Sequence, residues 1–274
     1  MKFCKKHNKK IRWHTLVWHA QMPKWIYYQD KECKELATKE MLEARIKKYI
    51  FAVMEHTKDY VSSYDVVNEP ISDKTYKLRT EEDHSFWQKI LGPDYVEKMF
   101  TWAHEANPNA ELVINDYNIE STIGKREGMY NFVKEMLAKK VPISAVGLQM
   151  HISVNDPPVE QIEETINMFG ELGLKVLVTE MDVSVYNFED KERIEYTPEL
   201  LEKQAQRYKE IFECFKRCAK KGYLTDVVLW GTMDSRSWKN DFPVPGRTDI
   251  PLLFDGNGKA NYKRRNCKCS KNTF

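Results

Sequence analysis

The feature that most constrains this fold is an alternation, repeated along the chain, between short β-rich apolar runs and longer segments with apolar residues at helical spacing. The runs are 11–18, 63–67, 112–115, 145–150, 175–179 and 226–230. Each is too short for a helix and rich in branched or aromatic side chains. Between them lie helical patterns at 38–56, 94–106, 125–138, 159–172 and 198–220. The last has the clearest limits: Thr197 offers a capping hydroxyl, Pro198 supplies a helical φ without needing its N–H, and Gly222 supplies the stop. Strand then helix with short connections means parallel strands joined by right-handed crossovers, which is α/β architecture.

Two α/β arrangements compete, an open doubly wound sheet and a closed barrel. An open sheet with a nucleotide site would want G-x-G-x-x-G or G-x-x-x-x-G-K-[ST] after a strand, and neither occurs. Polar residues gather instead at the C-terminal ends of nearly every run: 14–19, 68–69, 115–118, 149–151, 180–182 and 230–238. In a barrel those ends converge on one mouth, so the barrel is the expected fold. Only six strands are counted, two short of the eight that a full (β/α)8 barrel needs.

Composition narrows the function. The chain has 274 residues with 43 basic against 41 acidic side chains, so its net charge of +2 gives no one-sign field for nucleic acid or a membrane surface. No apolar stretch reaches the length of a membrane span. The start, MKFCKKHNKKIRW, breaks any apolar signal region at His7 to Lys10. Six cysteines, at 4, 33, 214, 218, 267 and 269, are too sparse for a disulfide scaffold, so a reducing, cytoplasmic setting is expected rather than a secreted one. No repeat or linker interrupts the chain, so residues 1–265 read as one domain and 266–274 as a basic tail.

The sharpest chemical signal is a pair of strand-ending acids, in Val66-Val67-Asn68-Glu69-Pro70 and Val176-Leu177-Val178-Thr179-Glu180-Met181-Asp182. Each Glu follows a run that must be buried, where ionisation is costly without partners. Either acid alone would pass as a structural group; two at equivalent places in one mouth suit glycoside hydrolysis, in which one acid protonates the leaving oxygen and the other attacks or stabilises the anomeric carbon. Glu180 has His151 and Asp182 available to orient it and keep it ionised, the needs of a nucleophile. Glu69, between apolar residues and Pro70, has surroundings that raise a pKa, the need of an acid/base. Asn68 is placed to bond a sugar 2-hydroxyl. Trp13, Trp18, Trp25, Trp230 and Trp238 lie in strand-end segments where rings could stack on pyranoses, although packing explains any single tryptophan equally well. Alternation points His14, Leu16 and Trp18 to one face and His19 to the other. A metal enzyme is the rival, but H-E-x-x-H and H-x-H pairs are missing, so no metal and no cofactor are expected.

Several long segments, RWHTLVWHAQMPKW, YDVVNEP, AELVINDYNIE, ISAVGLQMHIS, VLVTEMDV and LWGTMDSRSW followed by FPVPGRTDIPLLFD, resemble glycoside hydrolase family 10, the endo-1,4-β-xylanases. The likeness runs from about Lys2 to Tyr262 in the family's order. It implies a (β/α)8 barrel that cleaves internal β-1,4 bonds of xylan or xylo-oligosaccharides with retention of configuration. On matching positions Glu69 resembles the acid/base and Glu180 the nucleophile. Asn68 resembles the contact to the sugar at the cleavage site, and Gln149 with His151 the pair that positions the nucleophile, Asp182 standing behind His151. His14, Trp18, Trp230 and Trp238 resemble sugar-contacting residues, as Gln21, Asn115 and Tyr117 do on weaker matches. The FPVPGR stretch is similar to the intracellular branch, which tends to take short xylo-oligosaccharides.

The chain departs from the family in two ways. Trp13 stands where many relatives carry glycine. The chain also begins near the family's third strand, without the first two βα units and their Glu-Asn-x-x-Lys segment, whose Asn and Lys usually grip the sugar on the non-reducing side. A catalytically impaired xylan-binding remnant is therefore one alternative, and a cellulase or mannanase on the same barrel is another.

Overall fold

The computed structural model describes residues 2–187 and 190–260; the basic tail expected at 266–274, with Cys267 and Cys269, lies outside the described residues. The described chain forms two compact units, residues 2–116 with 127–147, and 117–126 with 148–260.

The first unit holds α1 (Lys2–Lys6), β1 (Arg12–Trp13), β2 (Val17–Trp18), α2 (Lys39–Thr57), β3 (Ser63–Asn68), α3 (Trp87–Leu91), α4 (Tyr95–Ala106), β4 (Glu111–Asp116), most of α5 (Ile123–Ala138) and the start of β5 (Ala145–Leu148). All six residues of β3 are buried, as befits a parallel strand covered on both faces. β1 and β2 each pair parallel with β3, Trp18 falling opposite Asn68, and β3 pairs parallel with β4, Asn68 falling opposite Asn115. One rung of the ladder therefore carries Trp18, Asn68 and Asn115 side by side at its C-terminal end. The helices cover the strands with narrow apolar stripes. In α2 the Thr38 hydroxyl accepts the Met41 N–H at 3.2 Å, and Leu42, Ile46, Ile50 and Met54, four residues apart, are fully buried. Burying each such side chain stabilises the fold by roughly 1.5–3 kcal/mol. In α5 the residue at 128 must be small: a Cβ on Gly128 would stand 2.1 Å from the Tyr76 carbonyl oxygen.

The second unit holds β6 (His151–Ser153), α6 (Val159–Gly170), β7 (Lys175–Ser184), α7 (Pro198–Lys220) and β8 (Leu224–Leu229). β7 is buried from Val176 to Ser184 and pairs parallel with β6, His151 opposite Asp182, and with β8, Met181 opposite Leu229. α7 starts where its sequence dictates: the Thr197 hydroxyl accepts the Leu200 N–H at 3.3 Å, and Gly222 takes φ +80° just past the end. Its buried face carries Tyr208, Ile211, Phe215 and the free thiols of Cys214 and Cys218. Among the described residues no helix is long and apolar enough to cross a membrane.

Among the described residues there are eight strand pieces against the six expected runs, and two breaks explain the difference. The run 11–18 splits because the Thr15 hydroxyl and the Leu16 N–H both bond the single carbonyl of Asp65, at 2.9 Å each, which takes residues 14–16 out of regular pairing. The run 145–150 ends at Leu148 because Met150 adopts φ +62°, after which His151 opens β6. Simple alternation from His14 to His19 fails for the same reason: Leu16 is fully buried, while Trp18 and His19 both approach Glu69. α1 and α3, five residues each, were too short to register as helical periodicity.

Candidate functional site

In the first unit the candidate residues collect at the C-terminal ends of β2, β3 and β4. Glu69 stands one residue past β3 at φ +54°, an unusual backbone state for a side chain with a Cβ. The neighbouring chain holds it there: its N–H donates to the Asn115 carbonyl at 2.7 Å, and its own carbonyl accepts from Arg79 Nε at 2.9 Å. Arg79 is buried and its guanidinium also donates to Asp73 at 2.9 Å. The Trp18 indole N–H donates to Glu69 Oε2 at 2.8 Å, and His19 Nδ1 lies 4.0 Å from the same oxygen. Asn115 Nδ2 donates to Asn68 Oδ1 at 2.8 Å, which fixes the amide orientation and turns the Asn68 NH2 away from Asn115.

His14, just past β1, pairs its ring Nδ1 with Asp65 Oδ2 at 2.7 Å. Asp65 is fully buried in β3 and also binds the Arg12 guanidinium. The sequence reading passed over Asp65 and Arg12, although a lone charge inside the apolar run 63–67 was the available signal. Gln21 is exposed in the turn after β2, at φ +53°.

In the second unit the side chains of β6, β7 and the loop after β8 form a second array. His151 lies between two acids, Nε2 3.4 Å from Glu180 Oε2 and Nδ1 3.0 Å from Asp182 Oδ2. Glu180 and Asp182 are buried, and the β6–β7 register that sets His151 opposite Asp182 creates the contact. Burial works against the imidazolium, but Asp182 first and Glu180 second outweigh it and push the His151 pKa up to about 9. The ring is therefore a cation at neutral pH, donating from both nitrogens. Asp182 Oδ2 also accepts the Trp238 indole N–H at 2.7 Å, and the Trp238 ring lies 4.9 Å from His151. Trp230 stands edge-on to His151 at 6.5 Å. Gln149 contributes through its backbone, its carbonyl accepting the Glu180 N–H at 3.1 Å. Tyr117 is held under Lys125, whose Nζ is 3.5 Å from the ring centre; Lys125 is fully buried, which nothing in its local sequence signals. Lys239 and Phe242, beside Trp238, were likewise missed. Among the described residues no group of three or more His, Cys, Asp or Glu side chains is arranged to hold a metal ion.

The two arrays supply different chemistry. A carboxylate beside a cationic imidazole that is itself held by a second acid is suited to act as an anion. A carboxyl at a strand end, accepting an indole N–H and with an imidazole nitrogen 4.0 Å away, is suited to proton transfer.

Comparison with known proteins agrees with the family likeness. Residues 1–266 match Glycosyl hydrolase family 10. Endo-1,4-beta-xylanase A of Caldicellulosiruptor saccharolyticus is 43% identical over 260 residues, covering 94% of this chain and 74% of that protein. Endo-1,4-beta-xylanase C of Paenibacillus barcinonensis is 41% identical over 266 residues, 94% of this chain but 24% of the longer protein. The solved family 10 structure from Paenibacillus barcinonensis superposes with a TM-score of 0.92 at 40% identity, over 94% of this chain and 76% of that one. The intracellular xylanase of Thermoanaerobacterium saccharolyticum, one variant of which was solved with xylotriose, superposes with a TM-score of 0.83 at 37% identity, over 94% of this chain and 75% of that one. These relatives set the fold class as that of the (β/α)8 barrels. With parallel β/α order, strand-end acids and a match along almost the whole length, the chain belongs to glycosyl hydrolase family 10.

Proposed function

We propose that this chain is a retaining endo-1,4-β-xylanase, with residues 1–265 acting as one catalytic domain. Glu180 is the nucleophile: its carboxylate attacks the anomeric carbon and forms a glycosyl ester. Glu69 is the acid/base: it protonates the departing glycosidic oxygen, then takes a proton from the water that hydrolyses the ester. His151, held by Asp182, keeps Glu180 ionised and aligned, and Asn68 bonds the 2-hydroxyl of the sugar being cleaved. Trp18, Trp230 and Trp238 offer aromatic surfaces to the xylose rings, with His14, Gln21, Asn115, Tyr117 and Gln149 as further contacts.

The observation that carries this reading is the hydrogen-bonded row Glu180–His151–Asp182–Trp238, supported by relatives named as xylanases at about 40% identity. Xylo-oligosaccharides as substrates are supported by the xylotriose complex of a relative, and a cytoplasmic setting by a relative described as intracellular. No cofactor is called for. The test is release of reducing ends from xylan, cellulose and mannan, with Glu180→Ala beside the unaltered protein. Xylan is hydrolysed fastest and the variant is inactive if the assignment holds. Equal activity in the variant removes Glu180 from the role, preference for cellulose or mannan removes the xylanase reading, and tight xylo-oligosaccharide binding without turnover favours the remnant alternative.

A further inference from the structure

Asp182 is asked to do two things with one oxygen: its Oδ2 accepts from both His151 and Trp238. Its other oxygen is not idle. Lys239 Nζ lies 3.5 Å from Asp182 Oδ1, with the lysine side chain only 14% exposed. The same ammonium is 4.7 Å from the centre of the Trp238 ring, and its charge also acts on Asp249, which is buried ten residues further along the chain. Asp249 in turn accepts from the Ser184 hydroxyl at 2.5 Å and from the Val185 N–H, both at the end of β7. A single half-buried cation therefore acts on two buried acids, one at the nucleophile array and one at the root of the loop that carries Trp238. Phe242, 5.0 Å from Trp238 on that loop, packs the indole further.

We propose that Lys239 is a positioning residue, whose ammonium neutralises Asp182 on the oxygen that His151 and Trp238 leave, and thereby sets how strongly Asp182 holds the His151 proton and how firmly Trp238 is docked. Resting on the xylanase reading for its kinetic consequence, this inference stands on geometry for its electrostatic one. The charged groups around His151 are Glu180 and Asp182 from β7 and Lys239 from the loop after β8; Asp249 lies beyond Lys239. Of these only Lys239 is a cation. Its charge lowers the anionic pull on the imidazole, so that removing it makes His151 harder to deprotonate.

The experiment compares Lys239→Met, Lys239→Gln and Lys239→Arg with the unaltered protein in an imidazole NMR titration. The His151 signal is assigned by its loss in His151→Asn, and KM is measured for xylotetraose. In both neutral variants the His151 midpoint rises by about one pH unit, the size expected for one nearby charge in a partly buried setting. KM rises about two- to fivefold, the range of one lost cation–π contact. Lys239→Arg restores both. An unmoved midpoint in the neutral variants, or a shift that arginine does not reverse, overturns the proposal. If the unaltered protein fails to hydrolyse xylotetraose, the xylanase reading falls, while the titration still decides the role of Lys239. Lys239→Gln keeps the test available should the methionine variant fold poorly.

Discussion

Replacing His151 with asparagine gives a pH-dependent loss of stability whose size follows from the structure. In the folded protein the imidazole is raised from an ordinary 6.5 to about 9, because Asp182 at 3.0 Å and Glu180 at 3.4 Å outweigh the cost of burying the charge. A raised pKa means that the folded state holds the proton more tightly than the unfolded chain. The resulting stability is fully present below about pH 6.5 and is lost as pH rises through about 9. A shift of that size corresponds to about 3 kcal/mol, and with the ring largely buried little of it is lost to solvent screening. For a chain of this length about 3 kcal/mol amounts to roughly 6–12 °C in Tm. The assay is thermal unfolding of the unaltered protein and His151→Asn at each pH from 6 to 10. Tyrosines and lysines titrate alike in both proteins, so the difference between the two curves isolates His151. The variant melts well below the parent at pH 6 and the gap closes by about 6–12 °C by pH 10; a gap that stays constant over the range refutes the assignment of a buried imidazolium between two carboxylates.

Other outcomes follow from single contacts. Glu69→Gln lowers xylan hydrolysis by about 10²–10⁴-fold, the usual contribution of a general acid, yet spares the first step on aryl xylosides whose phenol leaves without protonation; a stopped-flow burst on such a substrate separates the two. Gly128→Ala forces a methyl against the Tyr76 carbonyl and costs about 1–3 kcal/mol, seen as a lower urea midpoint with unchanged slope. Thr197→Ala removes the cap of α7 and costs about 1 kcal/mol, a drop of about 2–4 °C in Tm by calorimetry.

Where local chemistry decides the structure, the sequence was a good guide. α7 begins at Pro198 and ends at Lys220 as read, because its cap, its proline and Gly222 are all local devices. The two acids stand out in the sequence as a pair, because each ends a buried apolar run at an equivalent place, and His151 beside Asp182 follows once β6 and β7 are paired. What was missed depends on contacts between distant segments. The break at residues 14–16 needs the Asp65 carbonyl, some 50 positions away, to accept two donors. Arg79, which clamps the Glu69 carbonyl, sits in a loop with no periodicity to mark it. Lys239 reads in the sequence as an ordinary surface lysine, and only the fold of the loop after β8 brings its ammonium to Asp182. Likewise, the partner that holds His14 Nδ1, Asp65, emerges only from the pairing of β1 and β2 with β3.

Double displacement at one anomeric carbon, with Glu180 attacking and Glu69 managing the proton, is most directly tested by following the anomeric protons of the first product by NMR within seconds of adding xylotetraose. The β-anomer is expected first, with the α-anomer growing only as mutarotation proceeds. Initial formation of the α-anomer would mean a single inverting displacement and would contradict the roles given to both acids.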